Sequence, residues 1–147
     1  MSADTRKAQA EVSELIEDWA KTLRAKHVES AMAHYAPDIL TFDLAPPLQY
    51  VGANAIRRSL ADWFPTFVGP LGYEIRGLNI AASGDVAFST SLNRITGART
   101  SGEETDVWVR MTLGCKKING TWMIAHEHAS VPFHMDGSYK AAIELKP

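Results

Sequence analysis

The sequence lacks the features that several large protein classes require. It has one cysteine, Cys115, among 147 residues, so it can form neither an internal disulfide nor a cluster of metal-binding thiolates. No apolar run approaches the roughly 18 residues of a membrane-spanning helix. A glycine-rich motif of the kind that cradles phosphates is also missing. We therefore expect no nucleotide, no other cofactor and no metal.

An excess of charge of one sign is missing too. The chain has 15 lysines and arginines against 17 aspartates and glutamates, a formal net charge of -2. Proteins that bind duplex nucleic acid normally carry a basic footprint, so no nucleic-acid partner is expected. The N-terminus runs into a charged helical pattern without an apolar signal segment. These features predict a cytoplasmic protein with no membrane partner.

What is present is the composition of a globular protein, with 46% hydrophobic and 22% charged residues. The length suits a single domain, which we predict over residues 1–147 with its core at about 8–132. A short irregular tail follows the core, with a helical turn expected around residues 140–145.

Helical periodicity dominates the first third of the chain. A second, short helix is predicted over Val28–Tyr35, ended by Pro37, and a third over Asn54–Phe64. A short apolar strand, Ile39–Phe42, lies between them. The first and longest helix is indicated by apolar residues at helical spacing, namely Val12, Leu15, Ile16, Trp19 and Leu23.

From about residue 71 the hydrophobic period changes to two. Four strands are predicted, at Tyr73–Ile80, Val86–Ile95, Thr105–Cys115 and Thr121–Val131. The turns between them are short, so neighbouring strands must pair antiparallel. Helices followed by such a meander predict an α+β fold in which a curved, cone-shaped antiparallel sheet wraps around the N-terminal helices.

This order of elements resembles the nuclear transport factor 2-like, or SnoaL-like, superfamily, which includes ketosteroid isomerase and the association domain of calcium/calmodulin-dependent kinase II. The resemblance covers roughly residues 12–132 and implies a conical pocket and homodimers formed through the convex sheet face. The scaffold hosts isomerases, cyclases, dehydratases, hydrolases and assembly modules, so it implies no single function. It is carried by the strings YAPDILTFD (35–43), GANAIR (52–57), EETDVW (103–108) and GTWMIAHEHAS (120–130).

Asp43 is the leading candidate for a catalytic residue. It ends an apolar strand where a proline-rich loop begins, and a carboxylate in a partly apolar setting can abstract a proton next to a carbonyl. The resemblance implies the same role, because the matching position in ketosteroid isomerase carries the catalytic base. The alternative is that Asp43 caps the following turn through its own backbone.

Other parts of the isomerase's machinery are not matched. Trp19 stands where that enzyme has an oxyanion-binding tyrosine, and Thr112 or Leu113 falls near its protonated aspartate. Two strong donors are usually needed to stabilise an enolate, so steroid isomerisation itself is not expected.

The string His126-Glu127-His128 puts the histidines on one strand face and Glu127 on the other. A two-residue turn at Asn119-Gly120 would pair Lys117 with Trp122 and turn the histidines towards the apolar side. A three-residue turn would pair Lys117 with Thr121 and place Glu127 beside Met111. We predict the three-residue turn, because it separates an apolar face from a polar one.

Under that register Glu127 faces the cone as a second acid or base opposite Asp43. The alternative is a structural Glu127 paired with a nearby cation. The convex face then carries a polar cluster at the expected dimer interface, namely Trp108, Arg110, His126 and His128. A metal site formed by the two histidines with His134 is a weaker alternative to interface histidines.

Four aromatic residues, Trp19, Tyr35, Phe42 and Trp63, are predicted to line the cone, which favours an apolar small molecule as ligand. Asn93 is a fifth candidate for ligand binding. It stands where the kinase association domain has a pocket arginine, so a cation that could hold a carboxylate is lost there. Arg94 and Arg110 are the remaining sheet cations.

The sequence thus predicts a homodimeric cone-fold protein that binds an apolar small molecule. As an enzyme it would be an isomerase, dehydratase or hydrolase with Asp43 as general base. The alternative is a non-catalytic module for ligand binding or oligomerisation.

Overall fold

A long N-terminal helix packs across a six-stranded, curved and unclosed sheet in the computed structural model, which describes residues 1–147. The predicted α+β architecture is confirmed. The strand order in the sheet is β2-β1-β6-β5-β4-β3. The elements are α1 (Ala3–Arg24), α2 (Val28–Met32), β1 (Tyr35–Phe42), β2 (Tyr50–Val51), α3 (Ala53–Trp63), a 3-10 turn (Phe64–Thr66), β3 (Gly72–Ser83), β4 (Val86–Ala98), β5 (Glu104–Ile118) and β6 (Thr121–Ser130).

Helix α1 begins and packs as its sequence predicts. The Ser2 side chain caps it by accepting a hydrogen bond from the Thr5 backbone N–H at 3.1 Å. All five apolar residues of the predicted stripe are buried, with Ala20 beside them. This face packs chiefly against β3 and gives the cone its helical wall.

Helix α2 is shorter than predicted, because Tyr35 already belongs to strand β1. Strand β1 pairs parallel with β6, which follows it by about 80 residues in the chain, so no local pattern could announce the pairing. Pro37 therefore lies inside a strand. It is tolerated there because the β1–β6 register is interrupted between Tyr35 and Leu40, where a missing N–H costs no regular ladder bond.

Strands β3 to β6 form the predicted antiparallel meander. The tail after β6 differs from the prediction. It forms no helix at residues 140–145, only a turn at 143–144, and folds back through an isolated bridge between Phe133 and Ala141, beside which Ala142 is buried. None of the helices is both long and apolar enough to cross a membrane.

Candidate functional site

A cavity of about 400 Å³ lies between the sheet and the helices α1 and α3. Fifteen of its 21 lining residues are hydrophobic, which is typical of a site for a small organic molecule. Trp19, Tyr35 and Trp63 line it as the sequence predicts. The six lining residues that are not hydrophobic are Thr41, Asp43, Ser59, Arg99, Thr105 and Glu127.

The hairpin between β5 and β6 decides which residues reach this cavity. Its turn has two residues, since Lys117 pairs with Trp122 and both Asn119 (φ 51°) and Gly120 (φ 81°) have positive φ. That is the geometry of the type I′ turn, which Asn-Gly sequences favour. The predicted three-residue turn is wrong.

A β-bulge nevertheless restores the predicted faces. Cys115 pairs with Ile124 but Gly114 pairs with His126, so Ala125 is an extra residue in β6. A Cβ atom on Gly114 would lie 3.2 Å from the His126 Cβ, a tight contact that glycine avoids. Beyond the bulge Leu113 pairs with Glu127, and Glu127 lies on the inner face.

Glu127 is the half-buried acid of the site. Burial raises its pKa to about 8, the negative charge of Asp43 adds to that effect, and the Thr41 hydroxyl acts in the opposite direction. Glu127 forms no salt bridge, so the alternative prediction of a structural ion pair is wrong. At neutral pH Glu127 is mainly protonated and can donate a proton or a hydrogen bond.

Thr41 lies directly opposite Glu127 in the pairing of β1 with β6. It is buried and lines the cavity, and its hydroxyl makes no hydrogen bond of normal geometry within the protein. A buried hydroxyl without a partner is uncommon in folded proteins. Thr41 therefore offers a bound molecule an unused polar contact beside the acid.

Asp43 lies at the rim of the cavity and is exposed, rather than set among apolar side chains as predicted. Its Oδ1 accepts a hydrogen bond from the Leu44 backbone N–H at 2.7 Å. The predicted hydrogen bond to the following loop is therefore present, while Oδ2 has no partner in the protein and the carboxylate borders the cavity.

Tyr35 supplies a hydroxyl that sequence comparison with ketosteroid isomerase did not locate. The Trp19 indole N–H donates to the Tyr35 Oη at 2.7 Å. Burial, and then the charge of Glu127, raises the pKa of Tyr35 well above its usual range, so the phenol stays neutral. Since its oxygen is held as an acceptor, its own hydrogen is left for an acceptor in the cavity.

Tyr73 is held in the same way by a residue from a neighbouring strand. Asn93 Nδ2 donates to the Tyr73 Oη at 2.8 Å, and Asn93 Oδ1 accepts from Ser91 at 2.8 Å. Burial raises the pKa of Tyr73 above its usual range. Asn93 itself does not line the cavity, so its expected ligand contact is corrected to the support of Tyr73.

The outer face of the sheet holds the residues predicted for an interface. Phe42, expected in the cone, lies here instead, because its neighbours Thr41 and Asp43 take the inward positions of the alternating strand. Its ring packs edge-on against His126 at 5.0 Å and His128 at 5.3 Å. His126 Nδ1 also lies 2.6 Å from the Leu40 carbonyl oxygen.

Trp108 and Arg110 share this outer face with the histidines. Trp108 lies under the guanidinium groups of Arg76 (5.0 Å) and Arg94 (5.9 Å), and Arg110 donates to Ser130 at 3.1 Å. His134 is bonded to Glu144 in the tail and is not grouped with the other histidines. No cluster of three potential metal ligands is found.

Sequence reasoning missed several polar groups of the cavity, among them Tyr73, Thr41 and Arg99. Tyr73 and Thr41 could have been found by their alternation with inward apolar residues, since each lies two positions from another inward residue of its strand. Arg99 gave no such signal, because it follows the end of β4 and is placed by a bridge to Phe67.

Comparison with known proteins locates the chain among small cone-shaped proteins. The model of the SnoaL-like domain family matches residues 12–134. A search of curated proteins finds no match. A nuclear transport factor 2-like protein of unknown function from Pseudomonas putida KT2440 is 33% identical, over 97% of this chain and 99% of that one, with a TM-score of 0.88.

More distant solved structures share the fold. A protein from Novosphingobium aromaticivorans, provisionally named a scytalone dehydratase, is 19% identical over 96% of this chain and 95% of its own, with a TM-score of 0.78. One from Xanthomonas campestris, provisionally named a calcium/calmodulin-dependent protein kinase II association domain, is 21% identical over 82% and 84%, with a TM-score of 0.72. At these identities the likeness concerns the fold alone.

Proposed function

The chain belongs to the SnoaL-like domain family, and we propose that it is an acid–base enzyme acting next to the carbonyl group of an apolar small molecule. One observation carries the proposal: two carboxyl groups in different environments border one cavity. Asp43 is exposed at the rim, whereas burial raises the pKa of Glu127 to about 8. Such a pair supplies a base and an acid at the same pH.

The first step removes a proton from the carbon next to the carbonyl. Asp43 accepts this proton through Oδ2, the oxygen not bound to Leu44. The carbonyl oxygen gains negative charge and accepts hydrogen bonds from the Glu127 carboxyl and the Tyr35 hydroxyl. Donors placed in advance at a developing oxyanion are usually the largest catalytic contribution.

Two outcomes follow from the same intermediate. Asp43 can return the proton at another carbon, which is an isomerisation. Alternatively Glu127 gives its proton to a hydroxyl on the β carbon, which leaves as water; the proton on Asp43 then passes through solvent to Glu127 and resets the site. The lining, mainly aliphatic and aromatic, favours a cyclic or aromatic ketone as substrate.

Deuterium exchange tests the shared first step without knowledge of the natural substrate. 2-Tetralone, a bicyclic ketone, is incubated with the protein in heavy water and its α-deuterium content is followed by NMR. We expect faster exchange than in buffer, and a loss of about 100-fold or more in Asp43→Asn. Asp106→Asn, on the outer face, is the matched control and keeps the rate. Exchange no faster than in buffer, or unchanged in Asp43→Asn, would disprove the proposal.

The pH profile sharpens the same test. The exchange rate should fall as pH rises through about 8, because Glu127 then loses the proton that it donates. Glu127→Gln should remove this alkaline limb along with most of the rate.

A non-catalytic binding or assembly module is the second candidate, and one observation favours it. The Asp43 carboxylate already accepts the Leu44 N–H, as a purely structural loop cap would. We propose that self-association, in either case, uses the outer sheet face, where Phe88 (54% exposed) lies opposite Gly114 and Leu92 (37%) lies opposite Arg110. Phe88→Glu should shift a dimer towards monomer in sedimentation experiments, whereas Asp62→Lys on α3 should not.

A further inference from the structure

Arg99 lines the cavity but has no charged partner. Its Nη1 donates to Thr105 at 3.1 Å and its Nη2 to Thr66 at 2.8 Å, both neutral hydroxyls. The guanidinium lies over the Phe67 ring at 4.4 Å. No carboxylate of the protein lies within salt-bridge distance of it, although Glu103 and Glu104 are near in the chain and exposed.

The hydrogen-bonding capacity of this guanidinium is only partly used. The Arg99 Nε is buried and has no hydrogen-bond partner. Each terminal nitrogen carries two N–H groups and spends one on a threonine, so one N–H on each remains. A half-buried positive charge held by two hydroxyls and an aromatic ring is an incomplete arrangement, because such charges are normally paired. What it lacks is an anion with two oxygens.

Arg99 is also well separated from the two carboxyl groups. Thr105, its partner on β5, lies eight residues before Leu113, which pairs with Glu127. Between the two ends the cavity is lined by Val107, Val109 and Met111 of the same strand. The cavity therefore has a guanidinium at one end, a carboxyl pair at the other and an apolar middle.

We infer that the ligand of this cavity is an apolar molecule bearing a carboxylate, which binds the free N–H groups of Arg99. The inference deepens the proposed function, since the carbonyl chemistry would occur at the other end, but carboxylate binding does not depend on catalysis. A carboxylate fits better than a phosphate because one guanidinium neutralises one negative charge, and Asp43 adds a negative charge to the same cavity. The sequence predicts that the pocket loses a cation at Asn93; in the structure Arg99 supplies a cation from a different position.

A matched pair of probes tests this inference on the unaltered protein. 2-Naphthoate and 2-naphthamide have the same size and shape and differ in charge, and calorimetry measures the affinity of each at pH 7.5. We expect the protein to bind naphthoate about tenfold more tightly, as for a charge-assisted hydrogen-bond pair. Equal affinities, a preference for the amide, or binding of neither probe would overturn the inference, with no variant required.

Variants then assign the preference to Arg99. Arg99→Gln should bind both probes within about twofold of each other, and Arg99→Lys should keep part of the preference because it retains the charge without the planar fork. Arg94→Gln, on the outer face, is the matched control and should keep the full preference. A tenfold preference that survives in a folded Arg99→Gln, as judged by circular dichroism, would also overturn the inference.

The outcomes separate this inference from the proposed function. Asp43→Asn should lose deuterium exchange on neutral 2-tetralone but keep the preference for naphthoate. Arg99→Gln should lose the preference for naphthoate, whatever its rate of exchange. A protein that prefers naphthoate and shows no exchange at all would support the carboxylate site and disprove the proposed catalysis.

Discussion

Neighbouring residues of strand β6 lie on opposite faces of the sheet and have very different surroundings. Glu127 faces a largely apolar cavity, and burial raises its pKa to about 8. His126 and His128, its immediate neighbours, pack against Phe42 on the outer face, where no helix covers the sheet. Adjacent residues thus face different groups: Glu127 faces an apolar cavity and a second carboxylate, and the histidines face an aromatic ring on the open side of the sheet. The chemistry of each side chain follows from the face that it occupies.

The strand assigns these faces by means of one extra residue. Gly114→Val should oppose the bulge, because a Cβ atom at residue 114 would lie 3.2 Å from the Cβ of His126. The strand must then either hold that strained contact or return to the register without the bulge, in which Glu127 turns outward. We expect a loss of about 3 kcal/mol in the free energy of unfolding, which urea denaturation measures. Ala125→Gly leaves this contact unchanged and should cost less than about 1 kcal/mol; a Gly114→Val variant as stable as this control would refute the account.

Glu127 should make stability depend on pH in a way that the outer face does not. Its folded pKa of about 8 exceeds that of an unfolded glutamate, so between about pH 4.5 and 8 only the folded state holds the proton. Stability from this group is therefore complete below pH 4.5 and lost progressively as pH rises to 8. Glu127→Gln should be more stable than wild type at pH 8, by on the order of 3 kcal/mol, and similar to it at pH 4.5.

The comparison for that experiment is His128→Gln, which changes an exposed side chain of the same strand. Its unfolding free energy, measured by urea at both pH values, should show no comparable gain at pH 8. A Glu127→Gln variant whose advantage is equal at the two pH values would show that the raised pKa is not its cause.

Tyr35→Phe should reduce the deuterium exchange rate by about tenfold and the unfolding free energy by about 1–2 kcal/mol. The Trp19 N–H would lose its acceptor in a buried position, and the oxyanion would lose one donor. NMR exchange and urea denaturation measure the two effects. Tyr139→Phe, in the exposed tail, removes a hydroxyl without either consequence, and equal losses in the two variants would contradict the role of Tyr35.

The smallest effect is expected at Thr41, which faces inward beside the outward Phe42. Thr41→Val should raise stability by up to about 1 kcal/mol, since it removes a buried hydroxyl that makes no hydrogen bond of normal geometry within the protein. It should also move the alkaline limb of the exchange profile to higher pH, because the hydroxyl favours the ionised form of Glu127. Phe42→Leu should leave that limb in place, and a limb that stays fixed in Thr41→Val would show that the two groups do not interact.

The parts of the fold that depend on local pattern were predictable. The stripe of α1 and the meander of β3 to β6 are confirmed because periodicity and short turns act over a few residues. The hairpin between β5 and β6 shows where prediction from local pattern failed. Asn119-Gly120 favours a two-residue turn and Gly114 permits a bulge, but only the two signals together give the faces that an incorrect turn had predicted.

Three features of the site depended on contacts between distant parts of the chain. The pairing of β1 with β6 places Thr41 opposite Glu127, Asn93 reaches Tyr73 from a neighbouring strand, and Arg99 is fixed by Thr66 and Thr105. Asp43 was singled out from the sequence, and the structure places it at the cavity rim, but its exposure follows from the course of the loop after β1.

The sequence by itself determined the long first helix, the third helix and the four strands of the meander, and which residue types are present for acid–base chemistry. Tertiary structure alone decided three features of the site. Glu127 lies in a cavity, and Arg99 has no carboxylate partner in the protein. The hydroxyls of Tyr35 and Tyr73 each accept a hydrogen bond, which leaves their own hydrogens free to be donated. The physical reason is that periodicity and turn geometry are properties of neighbouring residues. Desolvation and charge pairing are properties of whatever the folded chain brings within a few ångströms.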